Sequence, residues 1–327
     1  MDKITKIGNL ASVIFGLLIL FFIRVNLYSA EISIVKTQNI ETYNEIVDSF
    51  IEASERLKGY DIKIYNGENN GEIIQKIFEK LSERKTEDRP VLVITIGPTA
   101  SFIAQKFMQD IPLIFSGVFN WKKYINTDKH KNIAGVDISL SPEQQLKYLK
   151  LIKPELKKLG MLYTQEYTSE IVRLFERIEK SEDIFIISKK VKVDNPAEKL
   201  RTEELKKIFM KLYESIDIFS LLPDPVIFSQ ENFQYLSDAC KEQKLPLYSF
   251  SEEQTKLGAL LSLTPNYSNI GSQMALMARK ILIQKILPSD LGVSNPIGSL
   301  FSMNFTTAAT LNLKVEHLKT IVNKIYY

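Results

Sequence analysis

Short apolar runs of Ile, Val, Leu and Phe, recurring between stretches of helical apolar period, constrain this chain more than any other feature. A run such as Val91-Leu-Val-Ile-Thr-Ile96 is too short for a buried helix and apolar on both faces, so it is read as a strand covered on both sides. The intervening stretches carry their apolar residues on one stripe and supply that cover. Repeated alternation of this kind predicts an α/β protein with parallel sheets. Strands are expected at 32–36, 61–65, 91–96, 113–117, 158–163, 184–188, 218–222, 247–250 and 259–263. Helices are expected at 42–57, 72–83, 99–109, 142–151, 169–179, 197–214, 230–242 and 270–284.

The rhythm breaks between 119 and 133, where Asn120-Trp-Lys-Lys-Tyr124 and Thr127-Asp-Lys-His-Lys-Asn132 read as a polar connection and suggest a lobe boundary. It resumes at Ser141-Pro142-Glu143-Gln144. There Ser caps a helix, Pro takes its first position, and the carboxylate or amide returns to the free N–H groups.

Composition narrows function by exclusion. Lys and Arg number 42 against 39 Asp and Glu in 327 residues. Without the first 30 residues, which hold Lys3, Lys6, Arg24 and Asp2, the balance is 39 to 38. So even and scattered a charge offers no nucleic-acid surface. The single cysteine, Cys240, excludes an intramolecular disulfide and a cysteine-cluster metal site, and His130 and His317 leave little for any metal. No G-x-G-x-x-G, P-loop, G-x-S-x-G or H-E-x-x-H occurs, and no nucleophile and base stand paired. An enzyme is therefore not expected, and no cofactor either.

Lys3 and Lys6 precede an uncharged run of 17 residues, 7–23, rich in Ile, Leu, Val and Phe. This is the pattern of an export signal. Ala30 offers a small residue for cleavage, whereas Tyr28 is bulky for its place in the cut. An uncleaved anchor is the alternative, because 17 residues lie at the lower edge of what spans a bilayer. Either way the basic start favours a cytoplasmic N-terminus. The remainder is then periplasmic, or anchored on the outer face of the cytoplasmic membrane, with membrane contact only through 7–23. The absence of a cysteine near position 30 excludes a lipid at the mature N-terminus.

Val91 to Ala100 with Asp110 to Val118, then Asn132 to Val136 with Glu143 to Lys150 and Leu159 to Tyr163, and finally Gly258 to Ser262, Asn266 to Gly271, Met277 to Leu282, Phe301 to Asn304 and Thr307-Ala308 form an ordered series. Together these stretches resemble the ABC-transporter substrate-binding protein family whose best-understood members bind aromatic amino acids. The resemblance implies the type I periplasmic-binding fold: two Rossmann-like lobes with parallel sheets, joined by a hinge of three crossovers. Lobe one is expected from 31–131 plus 253–290, and lobe two from 132–252 plus 291–327. The chain departs from the family at Gly117-Val-Phe-Asn120-Trp121 and at Leu222-Pro223-Asp224-Pro225, where the family often has Thr-Asp-Pro or Ser-Asp-Pro and a small residue before an acid.

Two such lobes take a ligand in the crevice at the carboxyl ends of their strands. Gly97-Pro98-Thr99-Ala100 ends a strand and begins a helix, whose free N–H groups suit a carboxylate, with the Thr99 hydroxyl as a further donor. A plain turn in which Thr99 caps its own helix is the alternative, and the resemblance favours anion binding. Thr37 and Gln38 follow the first strand, and Ser116 and Gly117 the fourth, at the same edge. The second lobe offers Tyr163, Thr164, Asp224, Phe250 and Ser251. Asp224 suits a ligand ammonium group, or serves as a turn residue between Pro223 and Pro225. Tyr163, Phe119, Trp121 and Phe250 are candidates to stack on a ring, although a single aromatic more often belongs to a core. Cys240 reads as a buried thiol, His130 as solvated, and the stretch 197–214 as an exposed helix face.

The leading expectation is an exported, monomeric solute-binding protein. It closes on a small ligand, such as an amino acid or related small carboxylate, and delivers it to an ABC permease. The alternative keeps the fold as a membrane-tethered extracytoplasmic sensory module acting on a membrane partner.

Overall fold

The computed structural model describes residues 29–57, 59–192 and 199–327, so the export signal expected at 1–30 lies outside the described residues apart from Ser29 and Ala30. Among the described residues, one sheet contains β1 (Ala30–Lys36), β2 (Tyr60–Asn66), β3 (Leu92–Ile96), β4 (Leu113–Ser116), β5 (Ile133–Val136) and β11 (Val293–Ser294). Its order is β11-β5-β4-β3-β1-β2 and every pair is parallel. The other sheet holds β6 (Lys158–Tyr163), β7 (Phe185–Lys190), β8 (Ile218–Ser220), β9 (Leu247–Ser249), β10 (Leu261–Pro265), β12 (Ser299–Asn304) and β13 (Lys324–Tyr326). These run in the order β13-β12-β10-β9-β8-β6-β7.

Burial follows position in the sheet. The central strands β3, β4 and β5 are buried at every residue, which is why β3 and β4 read as mainly apolar runs. At the edge, β2 is exposed or half-buried at every residue. The helices α1 (Glu41–Ala53), α2 (Gly71–Ser82), α3 (Pro98–Phe107), α4 (Pro142–Ile152), α5 (Ser169–Arg177), α6 (Thr202–Phe209), α7 (Gln230–Glu242), α8 (Glu252–Lys256), α9 (Tyr267–Leu282) and α10 (Phe305–Thr310) cover the sheets.

The first lobe is closed by α1 against α9. Ile46 and Phe50 meet Ile270, Met274 and Ala278 in one buried cluster, each large side chain contributing roughly 1.5–3 kcal/mol. Gly271 allows the approach, since a Cβ there would stand 2.0 Å from Ser49 Oγ and 2.3 Å from the Ile46 carbonyl. At α4 the Ser141 hydroxyl accepts from the Gln144 N–H at 3.2 Å, with Pro142 at the first position, as the sequence predicts. The expected return of a side chain to the cap does not form. Gln145 instead donates to the Leu140 carbonyl at 2.8 Å and accepts from the Tyr248 hydroxyl at 2.8 Å.

The chain passes between the sheets three times: after β5, after β10 and after β11. The crossings differ from the expected boundaries. Residues 119–131 are not a connection between lobes but a loop of the first, turned by Trp121–Lys123 and anchored by buried Ile125, and β5 follows from Ile133. Residues 253–265 belong with the second sheet, because β10 pairs with β9 and β12. The last crossing follows Ser294, since β11 still pairs with β5. The second sheet is also not wholly parallel, β10 and β12 being antiparallel. β5 is hidden because Ala134 and Gly135 weaken its apolar run and it follows the polar stretch, and β11 because it has only two residues.

Candidate functional site

At the carboxyl edge of the first sheet, most of the polar groups expected to face a ligand are engaged with one another. Thr37 Oγ1 accepts from the Ala100 N–H at 3.0 Å, and the Thr37 N–H donates to the Ile96 carbonyl at 2.8 Å. The Ser116 hydroxyl donates to the Val136 carbonyl at 2.8 Å. Gly97, with φ 98°, donates its N–H to the Ser116 carbonyl at 2.8 Å, and a Cβ there would meet Thr37 and Tyr43 within 2.8 Å. Tyr43 packs over Gly117, its hydroxyl pushed up to about 12 by burial. The Ser101 N–H donates to the Gly97 carbonyl at 3.2 Å. Of the first-turn donors of α3, only the Thr99 N–H is then left for a ligand, beside the half-exposed Thr99 side chain and exposed Pro98. The expected anion cradle is narrower than the sequence suggested. Gln38 is half-buried just beyond Thr37.

Asp224 is corrected from ligand partner to internal staple. One carboxylate oxygen accepts from the Thr164 N–H at 3.0 Å, the Thr164 hydroxyl at 2.7 Å and the Thr168 hydroxyl at 2.6 Å. The other accepts from the N–H groups of Val226 at 3.0 Å and Ile227 at 3.3 Å. The side chain is buried, and five donors leave it no capacity for a ligand ammonium. It holds the turns after β6 and β8 together, and Thr164 shares that task. Tyr163 is half-buried against the second lobe's core, and Ser251 caps α8 through the Gln254 N–H at 3.3 Å.

The crevice between the lobes contains a cavity of about 210 Å³. Phe119 and Trp121 wall it from the first lobe, and Ile171, Leu174 and Phe250 from the second. Phe250 is held edge-on to Phe228 at 5.5 Å. Of the ligand-binding residues expected from sequence, Phe250 alone lines this cavity; the stacking candidates Phe119 and Trp121 line it too. Polar residues that sequence reasoning missed also line it, Asp137 and Ser220 among them.

Asp137 follows β5 directly, and its N–H donates to the Ser294 carbonyl at 2.9 Å, so two crossings fix its backbone. Its carboxylate accepts from the Ser139 N–H at 2.9 Å. Burial pushes the carboxyl above its ordinary value, against hydrogen bonds from the backbones of Ser139 and Ile138 and from the Trp121 indole. It has no ion-pair partner among the described residues. The signal that finds it is an acid immediately after a short apolar run, visible only once 133–136 is read as a strand. Lys122 stands at the rim of the same cavity. Nearby Lys123 reaches across to the second lobe, donating to the Glu166 carbonyl and lying 5.5 Å from the Tyr167 ring centroid.

Residues 31–321 match the model of the family described as ABC transporter substrate binding protein. The chain belongs to that family. Its members are extracytoplasmic substrate-binding proteins rather than enzymes, so this binding protein takes a small ligand and its fold is the type I periplasmic-binding fold. It is 25% identical over 245 residues to the tyrosine-binding protein of Clostridioides difficile (strain R20291), covering 71% of this chain and 67% of the relative. Among solved structures, it is similar to the ligand-free, open form of a substrate binding protein with adhesive properties from Clostridium difficile, with TM-score 0.76 and 19% identity, covering 91% of this chain and 99% of that one. It is also similar to an ABC domain from Streptococcus pneumonia in complex with L-Trp, with TM-score 0.66 and 16% identity over 91% and 99% of the two chains. Among the described residues of the binding protein, no helix is long and apolar enough to cross a membrane, and no cluster of three His, Cys, Asp or Glu is placed to hold a metal. Cys240 is buried, which pushes its thiol up and leaves it unreactive.

Proposed function

We propose that the protein is an exported carrier that closes its lobes on an amino acid with an aromatic side chain and delivers it to an ABC importer. The observation that carries this reading is the Asp137 carboxylate, facing an aromatic-walled cavity between the lobes without a cation of its own. A desolvated carboxylate of this kind favours a ligand cation, and the ammonium group of an amino acid supplies one. Lys122 at the rim offers the opposite charge for the ligand carboxylate, and the Thr99 N–H and hydroxyl stand at the same edge of the first lobe. Phe119, Trp121 and Phe250 suit a ring, by stacking or edge contact. The cavity is smaller than those that hold drug-sized ligands, in keeping with a single small molecule. The tyrosine-binding relative and the L-Trp complex support the same ligand class.

The segment 7–23 carries export in this reading. Calorimetric titration of the purified protein with each amino acid and with small carboxylates tests the ligand. Binding to tyrosine, tryptophan or phenylalanine is expected, and saturable binding to an uncharged ligand alone contradicts the reading. Uptake of the bound amino acid by cells with and without the protein tests delivery.

A further inference from the structure

Among the described residues, the buried side-chain polar atoms without a hydrogen-bond partner are on Arg89, Ser220, Ser237, Gln254, Thr255, Ser262 and Ser302. Of these residues, only Ser220 lines the inter-lobe cavity. A buried hydroxyl left without a partner is costly and is rarely retained without a use. Ser220 ends β8, paired with Met161 of β6 and Tyr248 of β9, and is 1% exposed. The neighbouring polar groups are already engaged: the Tyr248 hydroxyl donates to Gln145, and Gln145 donates to the Leu140 carbonyl. Leu222, Leu263 and Phe175 line the same cavity, and its charged residues Glu170 and Arg177 pair with each other at 3.7 Å. A free hydroxyl on the cavity lining can meet one polar group on the ring of a ligand whose charged groups are held elsewhere.

We propose that Ser220 is a specificity-determining residue, selecting ligands whose ring carries a hydrogen-bonding group, as a phenol does, over the same ring without one. The inference rests on the ligand class proposed above. Its physical basis is an asymmetry. The Ser220 hydroxyl is unpaired without ligand, so a ligand hydroxyl gains a bond there that the analogue lacking it cannot form. A serine hydroxyl both donates and accepts, so it can receive the phenol proton or bond to the phenol oxygen.

The test is calorimetry with tyrosine and phenylalanine, on the wild-type protein and on Ser220→Ala, with thermal melting of both proteins without ligand. The wild type should prefer tyrosine by roughly 5- to 150-fold. Ser220→Ala should bring the two ligands to within about threefold, mainly by weakening tyrosine. Its ligand-free melting temperature should be unchanged or raised, because an unpaired hydroxyl is removed. The assignment is overturned if the wild type binds the two amino acids equally, if the variant keeps the full preference, or if the variant melts lower, which would show that the hydroxyl is bonded within the protein. Binding of neither by the wild type, with the fold intact, overturns the functional reading and the Ser220 assignment together.

Discussion

Asp137→Asn separates recognition from folding. The substitution keeps the shape and the acceptor for the Ser139 N–H at 2.9 Å while removing the charge. In the ligand-free protein the charge is a cost. Burial raises the Asp137 pKa above the ordinary 3.8, so its contribution to stability is fully present below the unfolded value and is lost as pH rises through the folded one. At neutral pH the Asn variant should therefore melt at the same temperature as the wild type or higher. Binding should move the other way. A charge-assisted hydrogen bond contributes roughly 1.5–3 kcal/mol, which is about 10- to 150-fold in affinity for a ligand carrying an ammonium group. Wild-type affinity should also fall on acidification from a pH above that of an ordinary aspartate, because the raised pKa protonates Asp137 early. That acid limb should be shallower in the variant. Calorimetry from pH 4 to 8 on both proteins, with melting curves in parallel, reads all three effects. Unchanged affinity at neutral pH refutes the assignment of Asp137 to the ammonium group. A melting temperature lowered by many degrees would show that the carboxylate is structural.

Asp224→Ala should act on stability. It leaves the buried groups of Thr164, Thr168, Val226 and Ile227 without their acceptor and should cost roughly 3–5 kcal/mol in denaturant melts. Any protein that survives should keep its ligand affinity. Thr37→Val removes the acceptor of the Ala100 N–H and should destabilise by about 1–3 kcal/mol, measured by urea unfolding. Lys123→Ala removes a contact from the first lobe to the Glu166 carbonyl and the Tyr167 ring. The ligand-free variant should show a larger radius of gyration in solution scattering, and an unchanged radius would deny the contact a role in holding the lobes together.

The fold was legible where strands are central and long enough to be apolar on both faces. β1, β3, β4 and β6 fall within a residue or two of their expected places, because burial on both sides keeps them mainly apolar. Polarity marks the neighbourhood of the first crossing but not its place, because β5 still lies in the first sheet. The loop 119–131 is polar, yet it folds over its own lobe and carries Phe119 and Trp121 into the cavity wall. The candidate site was legible at the level of the strand edge and not of the individual group. Thr37, Ser116 and Asp224 do occupy carboxyl ends, but a hydroxyl or carboxylate at such an end can bond to its own lobe, and the partner that decides this is distant in sequence. Ala100 lies 63 residues from Thr37, and Thr164 lies 60 from Asp224. No local pattern reports such pairings.

Where the groups with spare capacity lie follows from the same competition. Along the edge of each lobe, Thr37, Ser116, Thr164 and Asp224 are satisfied within the lobe, and Ser220 is the exception. Asp137 stands on one of the segments that cross between lobes, with its N–H tied to another. A group at the pivot shifts little as the lobes rotate, so on the proposed function a ligand meets Asp137 in the open form and the same contact persists on closing. Such a contact binds the two forms alike and cannot drive closure. Closure must be driven by groups that meet the ligand from both lobes only when the crevice narrows, and Trp121 from the first with Phe250 from the second are the pair placed for that. On this reasoning Asp137→Asn weakens binding without changing the extent of closure at saturation, whereas Phe250→Ala leaves the saturated protein more open. Solution scattering at saturating ligand distinguishes the two, and equal compaction in both variants would assign closure to contacts other than the aromatic walls.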